Sequence, residues 1–454
     1  MQNKINDYSI ILNRNKDAEF FTPCEQTISS NWLYGTDKVL LETTASVTGP
    51  VLVSYVLWLL QDAMKNGIRK LYFLARDGYI LHSIAKTLCE SYLLDIECRY
   101  FYCSRYSLRK VLFLIDQEEA LNKLCINGNR ITPEIVLERA GLDDRERKQI
   151  LSLLNIKEKN GMLSENGLSK LRDTLVGCEP FLNLAAKKSE DVYSLVHGYF
   201  KQEGLFDAVP FAIVDTGWLG SMQRSIRQIM QYSGCDAQLY GYYFGMFERG
   251  KTEDGTYSCY YFSKNRHYFR CVNFNNNLFE CLCTADHGMT VGYQKQGDNK
   301  IEPILKPFRK TWNLKLQLQM VDSYTKSFVS VNKQLPTVGI QSEKMVRGLL
   351  KSFMVYPSCQ EASVYGSIPF CDDLTEKYMV SLAEKLTSDD LKQQKALRKI
   401  FRKLFIKRSS KNFRESYWIQ GTISRYDYPN KPLLRFDIQV SEWAKYIRKY
   451  LKIL

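Results

Sequence analysis

An arginine and an aspartate directly follow an apolar run, and helical spacing resumes just after them. The run begins at Leu71, and the residues that follow it include Arg76, Asp77 and Gly78. A strand, a tight loop and a helix in this order predict an anion-binding loop, because the backbone N–H groups and the dipole at the start of a helix both favour a phosphate. The alternative is an ordinary turn in which Gly78 has a positive φ and Asp77 caps the helix.

A second loop of the same kind follows the apolar run 211–214, which ends in a single acid, Asp215. A carboxylate at a strand end accepts hydrogen bonds from sugar hydroxyls or binds Mg²⁺ through water, and small residues after it let backbone donors surround a phosphate. The small or polar residues here are Thr216, Gly217, Gly220 and Ser221. The alternative makes Asp215 a helix cap and the glycines turn formers. Two phosphate-binding loops in one chain predict a bisphosphorylated ligand.

A third predicted strand end carries further positive charge. The segment CRYFYC, residues 98–103, reads as a strand and continues into Ser104, Arg105 and Arg109. The carboxyl ends of neighbouring parallel strands open into one crevice, so we expect these side chains to converge there with Arg76. The alternative is a solvated basic loop.

Candidates for a general base lie in the segment NLFECLCTADHG, residues 277–288. Its pattern predicts a short helix with an asparagine near its start and Gly288 past its end. Glu280 and His287 are seven residues apart and are therefore expected on one face. His287 could act through its intrinsic pKa, and Glu280 could act if burial raises its pKa. The alternative is that both side chains only interact with the helix ends. The other histidines, interpreted as structural, are His82, His197 and His267.

The elements that must position these residues alternate in type along the chain. A helix at 50–65, strands near 71 and 98–103 with a helix between them, and a second series from 210 to 262 predict an α/β fold with a Rossmann-like parallel sheet. The region between the two series has helical spacing and helix caps, and the last third is helical and basic. The predicted parts are a discontinuous α/β core (1–115 and 205–295), a helical insertion (116–204) and a helical C-terminal region (296–454).

The composition indicates a globular protein and the kind of partner it binds. The chain has 454 residues, is 45% hydrophobic and carries a net charge of +14, which predicts a globular protein with a polyanionic partner. Its 13 cysteines lack metal-site or disulfide spacing, which predicts reduced thiols in a cytoplasm. The charged amino terminus argues against a secretory signal. The most apolar segment, residues 47–60, is shorter than the ~20 residues of a spanning helix and is predicted to be a buried core helix.

Taken together, these segments resemble a known family. The order of elements resembles the type I phosphoribosyltransferase fold. The segments LYFLARDGYILHSIAK, RYFYCSRYSLRK, IVDTGWLGSMQ and LFECLCTADHG resemble the glycan-directed phosphoribosyltransferases of bacterial capsule and O-antigen loci. The resemblance covers residues 45–110 and 210–290. The residues that match the pyrophosphate loop are Arg76, Asp77 and Gly78, those that match the 5-phosphate loop are Gly217, Gly220 and Ser221, and Asp215 matches the ribose-binding acid.

The resemblance implies a pentosyltransferase that moves ribofuranose 5-phosphate from phosphoribosyl pyrophosphate to a glycan hydroxyl and releases pyrophosphate. It also implies Mg²⁺ as the cofactor, with Asp77 and Asp215 as the residues near it. Arg76 and Arg105 would neutralise the leaving pyrophosphate, and a carboxylate would favour positive charge on the ribose. The implied location is the cytoplasm, at the inner face of the membrane if the acceptor is lipid-linked.

Two other functions share some of these features. A haloacid-dehalogenase-like phosphatase also has an aspartate after an apolar strand, but its motif needs a second acid two residues later, where this chain has Gly217. A non-catalytic phosphosugar- or nucleotide-binding protein would use the same loops for binding alone. Nucleic acid is not expected as a partner, since the sequence contains no recognised nucleic-acid-binding module.

The last third of the chain contains a strongly basic segment, residues 391–414, in which ten residues are Lys or Arg and none is acidic. Its apolar residues recur at helical spacing and predict an amphipathic helix that Ser388 caps and whose dipole Asp389 and Asp390 complement. The residues of its apolar stripe are Leu397, Ile400, Phe401, Leu404 and Phe405. Such a helix either packs on the protein or rests on anionic lipid, where each nearby Lys or Arg adds roughly 1 kcal/mol.

Overall fold

The α/β core contains five strands that form one parallel sheet in a computed structural model of the chain. The structure describes residues 2–13, 18–126, 131–156, 161–297, 300–308, 312–371, 379–394, 414 and 416–451. The strands are β1 (Lys70–Leu74), β2 (Glu97–Phe101), β3 (Phe211–Asp215), β4 (Tyr240–Gly245) and β5 (Thr256–Phe262). The residues of β1 and β3 are all buried, as their continuous apolar runs predict for strands covered on both faces. The prediction of an α/β fold with a parallel sheet is therefore confirmed.

The strand order β2-β1-β3-β4-β5 creates a crevice at the carboxyl end of the sheet. From β1 the chain moves outward to β2 on one side and later returns to β3 on the other side, so the connections diverge between β1 and β3. Leu74 pairs with Phe101, and Phe73 pairs with Val214, so the three strands end at the same level. Open α/β sheets bind ligands at such a switch point.

The apolar segment predicted as a core helix is buried beneath this sheet. It belongs to a continuous helical stretch, Gly35–Lys65, that is long and apolar enough to cross a membrane. Of the 18 most apolar consecutive residues of this stretch, 94% are buried inside the protein. The last part of this stretch is the helix Gly49–Lys65, and Pro50 lies in its first turn, as the sequence predicts. The helices before β2 are α1 (Gln2–Asn13), α2 (Ala18–Ser29), α3 (Gly35–Thr43), α4 (Gly49–Lys65) and α5 (Gly78–Ser91), with a π-helical turn at Thr44–Thr48 between α3 and α4.

The segment between β2 and β3 is helical in the described residues, as predicted. Side chains of Asp116, Thr132 and Asp143 cap three of its helices by accepting backbone N–H bonds. These helices enclose an apolar cluster of their own, from Leu112 to Ala185. The helices are α6 (Arg105–Arg109), α7 (Leu112–Ile115), α8 (Gln117–Leu124), α9 (Pro133–Arg139), α10 (Asp144–Leu153), α11 (Glu165–Val176) and α12 (Glu179–Glu203). Two further helices follow β3 and β5, namely α13 (Ser221–Tyr232) and α14 (Asn276–Cys283).

The last third contains strands as well as helices, which corrects the prediction of a purely helical region. An antiparallel hairpin, β6 (Thr290–Gln296) and β7 (Lys300–Leu305), crosses the predicted boundary at residue 295. A short ribbon pairs β8 (Pro369–Phe370) with β9 (Val380–Ser381). Because Tyr324, Phe353 and Trp418 belong to the same apolar cluster as α4 and the sheet, this region shares the core. Its helices are α15 (Leu314–Val331), α16 (Ile340–Val355), α17 (Cys359–Gly366), α18 (Ser388–Gln394) and a final pair at Ile419–Arg425 and Lys431–Leu451.

Most of the predicted basic helix lies outside the described residues, since only its start, α18, is described. At that start the predicted cap is wrong by one residue. Thr387 Oγ1 accepts from the backbone N–H of Asp390 (3.2 Å), and the carboxylate of Asp390 accepts from the backbone N–H of Thr387 (3.0 Å). This reciprocal pair is a capping box, so Thr387 caps the helix instead of Ser388.

Candidate active site

A cavity of about 1260 Å³ opens at the carboxyl ends of β1, β2 and β3. It brings together residues that the sequence singles out in four separate segments. The predicted residues that line it are Arg76, Asp77, Ser104, Arg105, Asp215, Gly217, Ser221 and Glu280. The convergence predicted for the strand ends is therefore present for most of these side chains.

The first loop is held against the sheet by its backbone. The Ala75 N–H donates to the Phe101 carbonyl (3.0 Å), and the Ala75–Arg76 peptide bond is cis. A Cβ on Gly78 would lie 2.7 Å from the carbonyl carbon of Phe73, so glycine is needed there for close packing. Gly78 is not among the residues with positive φ, which corrects the turn interpretation of this glycine.

The aspartate of this loop does not cap its helix. Asp77 precedes α5 but makes no side-chain capping bond. Its Oδ2 instead accepts from Thr216 Oγ1 at 2.6 Å, and the Thr216 N–H donates to Asp215 Oδ1 at 2.8 Å. Thr216 is fully buried and is not among the residues lining the cavity. Its role in the structure is to connect the two loops, in contrast to the substrate contact predicted for it.

The second loop follows an open backbone path that requires glycine. Gly217 has φ +142°, and a Cβ there would lie 2.1 Å from the Gly245 carbonyl oxygen. Gly220 has φ +68° and immediately precedes α13, where it serves as the N-cap residue. The Gly217–Trp218 peptide bond is cis. Tyr55 Oη of α4 donates to the Asp215 carbonyl (3.0 Å), which fixes the start of this loop against α4.

The arginines that follow β2 lie in two different environments. Ser104 caps α6 and donates to the Thr290 carbonyl (2.6 Å), while the exposed Arg105 lines the cavity. Arg109 does not line it: its guanidinium donates to the Lys123 carbonyl in the helical insertion (3.3 Å), and burial lowers its pKa to about 9. The expectation that Arg109 joins the crevice is therefore wrong, because α6 directs it toward the insertion.

Three carboxyl groups line the cavity, those of Asp77, Asp215 and Glu280, and Asp215 is the most deeply buried of them. Burial, together with the nearby Asp77, raises the pKa of Asp215 to about 8. Burial and Asp77 raise the pKa of Glu280 to about 7, while burial raises that of Asp77. Arg76 and Arg105 act in the opposite direction on Asp77 and Glu280. Clustered carboxyl groups with shifted pKa values are typical of a functional site.

Glu280 and His287 do not share a helix face, which corrects the prediction. The helix α14 ends at Cys283, four residues before the histidine. Glu280 lines the cavity, and its Oε1 accepts from Trp218 Nε1 at 2.7 Å. The His287 ring contacts Gly288 O through Nδ1 (2.8 Å) and Tyr100 Oη through Nε2 (2.7 Å), and burial lowers its pKa. Since a carbonyl only accepts, Nδ1 carries the proton, and Nε2 accepts from the tyrosine.

The acidic groups fit a cation that binds together with a phosphorylated ligand. Within the described residues no group of three or more His, Cys, Asp or Glu side chains could hold a metal ion. Asp77 and Asp215 each offer a second carboxylate oxygen beyond the one bonded to Thr216. Mg²⁺ commonly binds one or two carboxylates and completes its coordination with water and substrate phosphates.

Several residues of the cavity carry no signal in the sequence. Trp218 follows Gly217 in the second loop, and its indole N–H donates to Glu280. Another part of the lining comes from the last third of the chain, outside every motif: Lys306, Phe308, Trp312, Phe370 and Met379. Only the fold brings these residues to the strand ends.

Comparison with models of known protein families and with curated proteins finds no match for this sequence.

Proposed function

We propose that this protein transfers ribofuranose 5-phosphate from phosphoribosyl pyrophosphate to a hydroxyl of a glycan acceptor, with release of pyrophosphate, in the biosynthesis of a bacterial surface polysaccharide. The observation that carries the proposal is the pairing of two loops at the switch point of a parallel sheet. Thr216 bonds to Asp77 of one loop and to Asp215 of the other, and both loops open into one cavity. Such an arrangement supports a type I phosphoribosyltransferase-like site.

In this proposal the first loop holds the pyrophosphate of the donor. Arg76, Arg105 and the backbone N–H groups near Gly78 neutralise the charge that develops on the leaving group. Asp215 accepts hydrogen bonds from the ribose hydroxyls, and the backbone after Gly217 surrounds the 5-phosphate at the start of α13. Asp77 and Asp215 would hold Mg²⁺, which when bound neutralises negative charge on the pyrophosphate.

The transfer step is a displacement at the anomeric carbon of the donor. The acceptor hydroxyl forms the new C–O bond on the face opposite the α-pyrophosphate, and the bond to the pyrophosphate breaks with its electron pair remaining on the leaving group. The product is a β-linked ribofuranosyl 5-phosphate. Glu280 receives the proton of the acceptor hydroxyl, since a pKa of about 7 suits a general base near neutral pH. Trp218 fixes the orientation of this carboxylate.

The geometry of the second loop counts against a haloacid-dehalogenase-like phosphatase. That reaction needs an acid at the position of Gly217. A side chain there would meet the backbone of Gly245, because even a Cβ would lie 2.1 Å from its carbonyl oxygen.

Pyrophosphate release tests the proposal directly. The protein is incubated with phosphoribosyl pyrophosphate and Mg²⁺, with and without extracts of lipid-linked or free oligosaccharide, and mass spectrometry looks for a pentose-phosphate adduct. We expect acceptor-dependent pyrophosphate release and a matching adduct. Tight donor binding without release under any acceptor condition would instead identify a non-catalytic phosphosugar-binding protein. No donor binding would contradict both functions.

A peripheral contact with anionic lipid would place the protein beside a lipid-linked acceptor at the inner face of the membrane. The basic segment 391–414 supports this by charge, and the final helix supports it by exposed apolar residues. The side chains exposed along that helix are Leu433, Phe436, Val440, Trp443 and Ile447. We expect cosedimentation with anionic liposomes at low salt, release at high salt, and weaker binding by Phe436→Ser. Equal binding to neutral liposomes would contradict the electrostatic contact.

A further inference from the structure

The cavity extends well beyond the two loops proposed to hold the donor. Ligand pockets commonly enclose about 300–1,000 Å³. The volume of about 1260 Å³ exceeds that range, so the cavity has room for a second substrate. Part of its lining comes from aromatic residues of the last third of the chain, described below as the aromatic wall: Phe308, Trp312 and Phe370.

One side of the aromatic wall is attached to the loop after α14. The Lys306 N–H donates to the Met289 carbonyl (2.9 Å), so the end of the hairpin β6–β7 is fixed beside this loop. Phe308 and Trp312 follow this anchor along the chain, and both are half-buried and line the cavity. The attachment therefore fixes the chain two residues before Phe308, the first aromatic residue of the wall.

The other side of the wall is joined to the helix that carries Glu280. The ring of Tyr417 packs edge-on against Phe370, with the ring centroids 4.9 Å apart. The Tyr417 carbonyl accepts from the side-chain amides of Asn275 (2.8 Å) and Asn277 (3.4 Å) at the start of α14. Tyr417 thus holds the wall and the first turn of α14 in one unit.

The side of the cavity lined by the last third of the chain differs in charge from the loops at the strand ends. Among the described residues of the last third that line the cavity, Lys306 is the only charged one, and the others are aromatic, aliphatic or neutral polar. Asn276 and Asn277 also line the cavity, one helical turn before Glu280 on α14, so their amides and its carboxylate lie on neighbouring faces. A neutral ligand with many hydroxyl groups matches this side better than a phosphate does.

We propose that the aromatic wall and the amides of Asn276 and Asn277 form the acceptor subsite, and that it binds a neutral pyranose ring. This inference rests on the proposed function. The apolar C–H face of the sugar packs on the rings of Trp312 and Phe308, and its hydroxyl groups bond to the asparagine amides. The ring is held so that one hydroxyl reaches Glu280, which is the group that accepts its proton.

The experiment measures sugar binding and donor binding separately in the full chain. Saturation-transfer NMR with a panel of neutral methyl hexopyranosides reports acceptor binding, and calorimetry with phosphoribosyl pyrophosphate and Mg²⁺ reports donor binding. The variants are Trp312→Ala, Trp312→Phe and the matched control Trp32→Ala, since Trp32 is 85% exposed and is not among the residues lining the cavity.

We expect the wild type to bind at least one pyranoside, with saturation transferred mainly to ring C–H protons. Trp312→Ala should weaken that binding at least tenfold, Trp312→Phe should retain most of it, and Trp32→Ala should match the wild type. Donor affinity should stay within twofold in all three variants. The proposal is overturned if no pyranoside binds or if Trp312→Ala binds it as the wild type does. If the wild type does not bind phosphoribosyl pyrophosphate at all, the proposed function is contradicted instead.

Discussion

The two loops that line the cavity and are joined through Thr216 differ in how their glycines are used. The first loop presents charged side chains, Arg76 and Asp77, and its glycine has an ordinary φ and is small only to pack on Phe73. The second loop contributes the side chains of Asp215 and Trp218 to the cavity, and its glycines Gly217 and Gly220 both have positive φ. We therefore expect that charge can be removed from the first loop without moving its backbone, whereas the path of the second loop depends on the absence of side chains at Gly217 and Gly220.

The largest expected effect comes from closing the backbone path of the second loop. Gly217→Ala combines φ +142° with a Cβ 2.1 Å from a carbonyl oxygen, so the loop must move. We expect the free energy of unfolding to fall by about 3 kcal/mol and donor binding to be lost. Chemical denaturation and calorimetry measure both quantities.

Gly234→Ala is the control for this prediction. Gly234 also has positive φ (+81°), but a Cβ there would meet nothing within 4 Å. Gly234→Ala should therefore lower the free energy of unfolding only by the cost of a left-handed backbone, about 1–2 kcal/mol, and donor binding should stay normal. If both variants behave alike, steric closure of the loop is not what makes Gly217 necessary.

The next effect concerns the one acid of the second loop. Asp215→Asn retains an oxygen that can accept from the Thr216 N–H but can no longer ionise to a carboxylate when the donor and a cation bind. We expect donor affinity to fall about 100-fold while the fold is preserved, because a contact to a charged group is worth about 1.5–3 kcal/mol. Calorimetry and circular dichroism check this. Near-normal affinity and turnover would remove Asp215 from the site.

A smaller effect is expected when charge is removed beside the first loop. Arg105→Ala and Arg76→Ala should lower kcat about tenfold and raise the donor KM less, because the contact strengthens as pyrophosphate leaves. Arg145→Ala is the control, since Arg145 is exposed in the helical insertion. An effect of Arg105→Ala on acceptor kinetics alone would place this arginine at the other end of the cavity.

The carboxyl cluster predicts how the stability of the unliganded protein depends on pH. The pKa of Asp215 is raised from 3.8 to about 8 in the folded chain, so the folded state retains a proton that the unfolded state releases above pH 3.8. Unfolding then releases protons, and stability should fall as pH rises from about 4 to about 8. Urea denaturation across this range measures the slope. Asp215→Asn should reduce the slope and leave the part that Glu280 and Asp77 contribute, and an unchanged slope would assign the whole dependence to other groups.

The smallest effect is expected from His287→Gln. Both ring nitrogens of His287 are engaged, with Gly288 and Tyr100, and the ring is not among the residues lining the cavity. Turnover should therefore stay within about threefold of the wild type, whereas Glu280→Gln should lower kcat by about 100-fold or more. Steady-state kinetics of the two variants decides between the two candidate bases.

Much of the fold could be predicted because its signals are local. The apolar runs of β1 and β3 predict strands, and the helical spacing and helix caps between them predict helices, as the structure shows in the described residues. The positions of both loops follow from the same local patterns. Backbone hydrogen bonding and burial of one residue run determine these features without reference to distant parts of the chain.

The composition of the site depended on contacts that no local pattern encodes. Thr216 bonds to Asp77 across 139 residues, and Asn275 bonds to Tyr417 across 142 residues. Arg109 faces the insertion although Arg105, one helical turn earlier, lines the cavity. The sequence alone determined which residues end strands and begin helices. Only the tertiary structure decided which of their side chains share one cavity, because that depends on how distant elements pack and on which partners each polar group finds when it is buried.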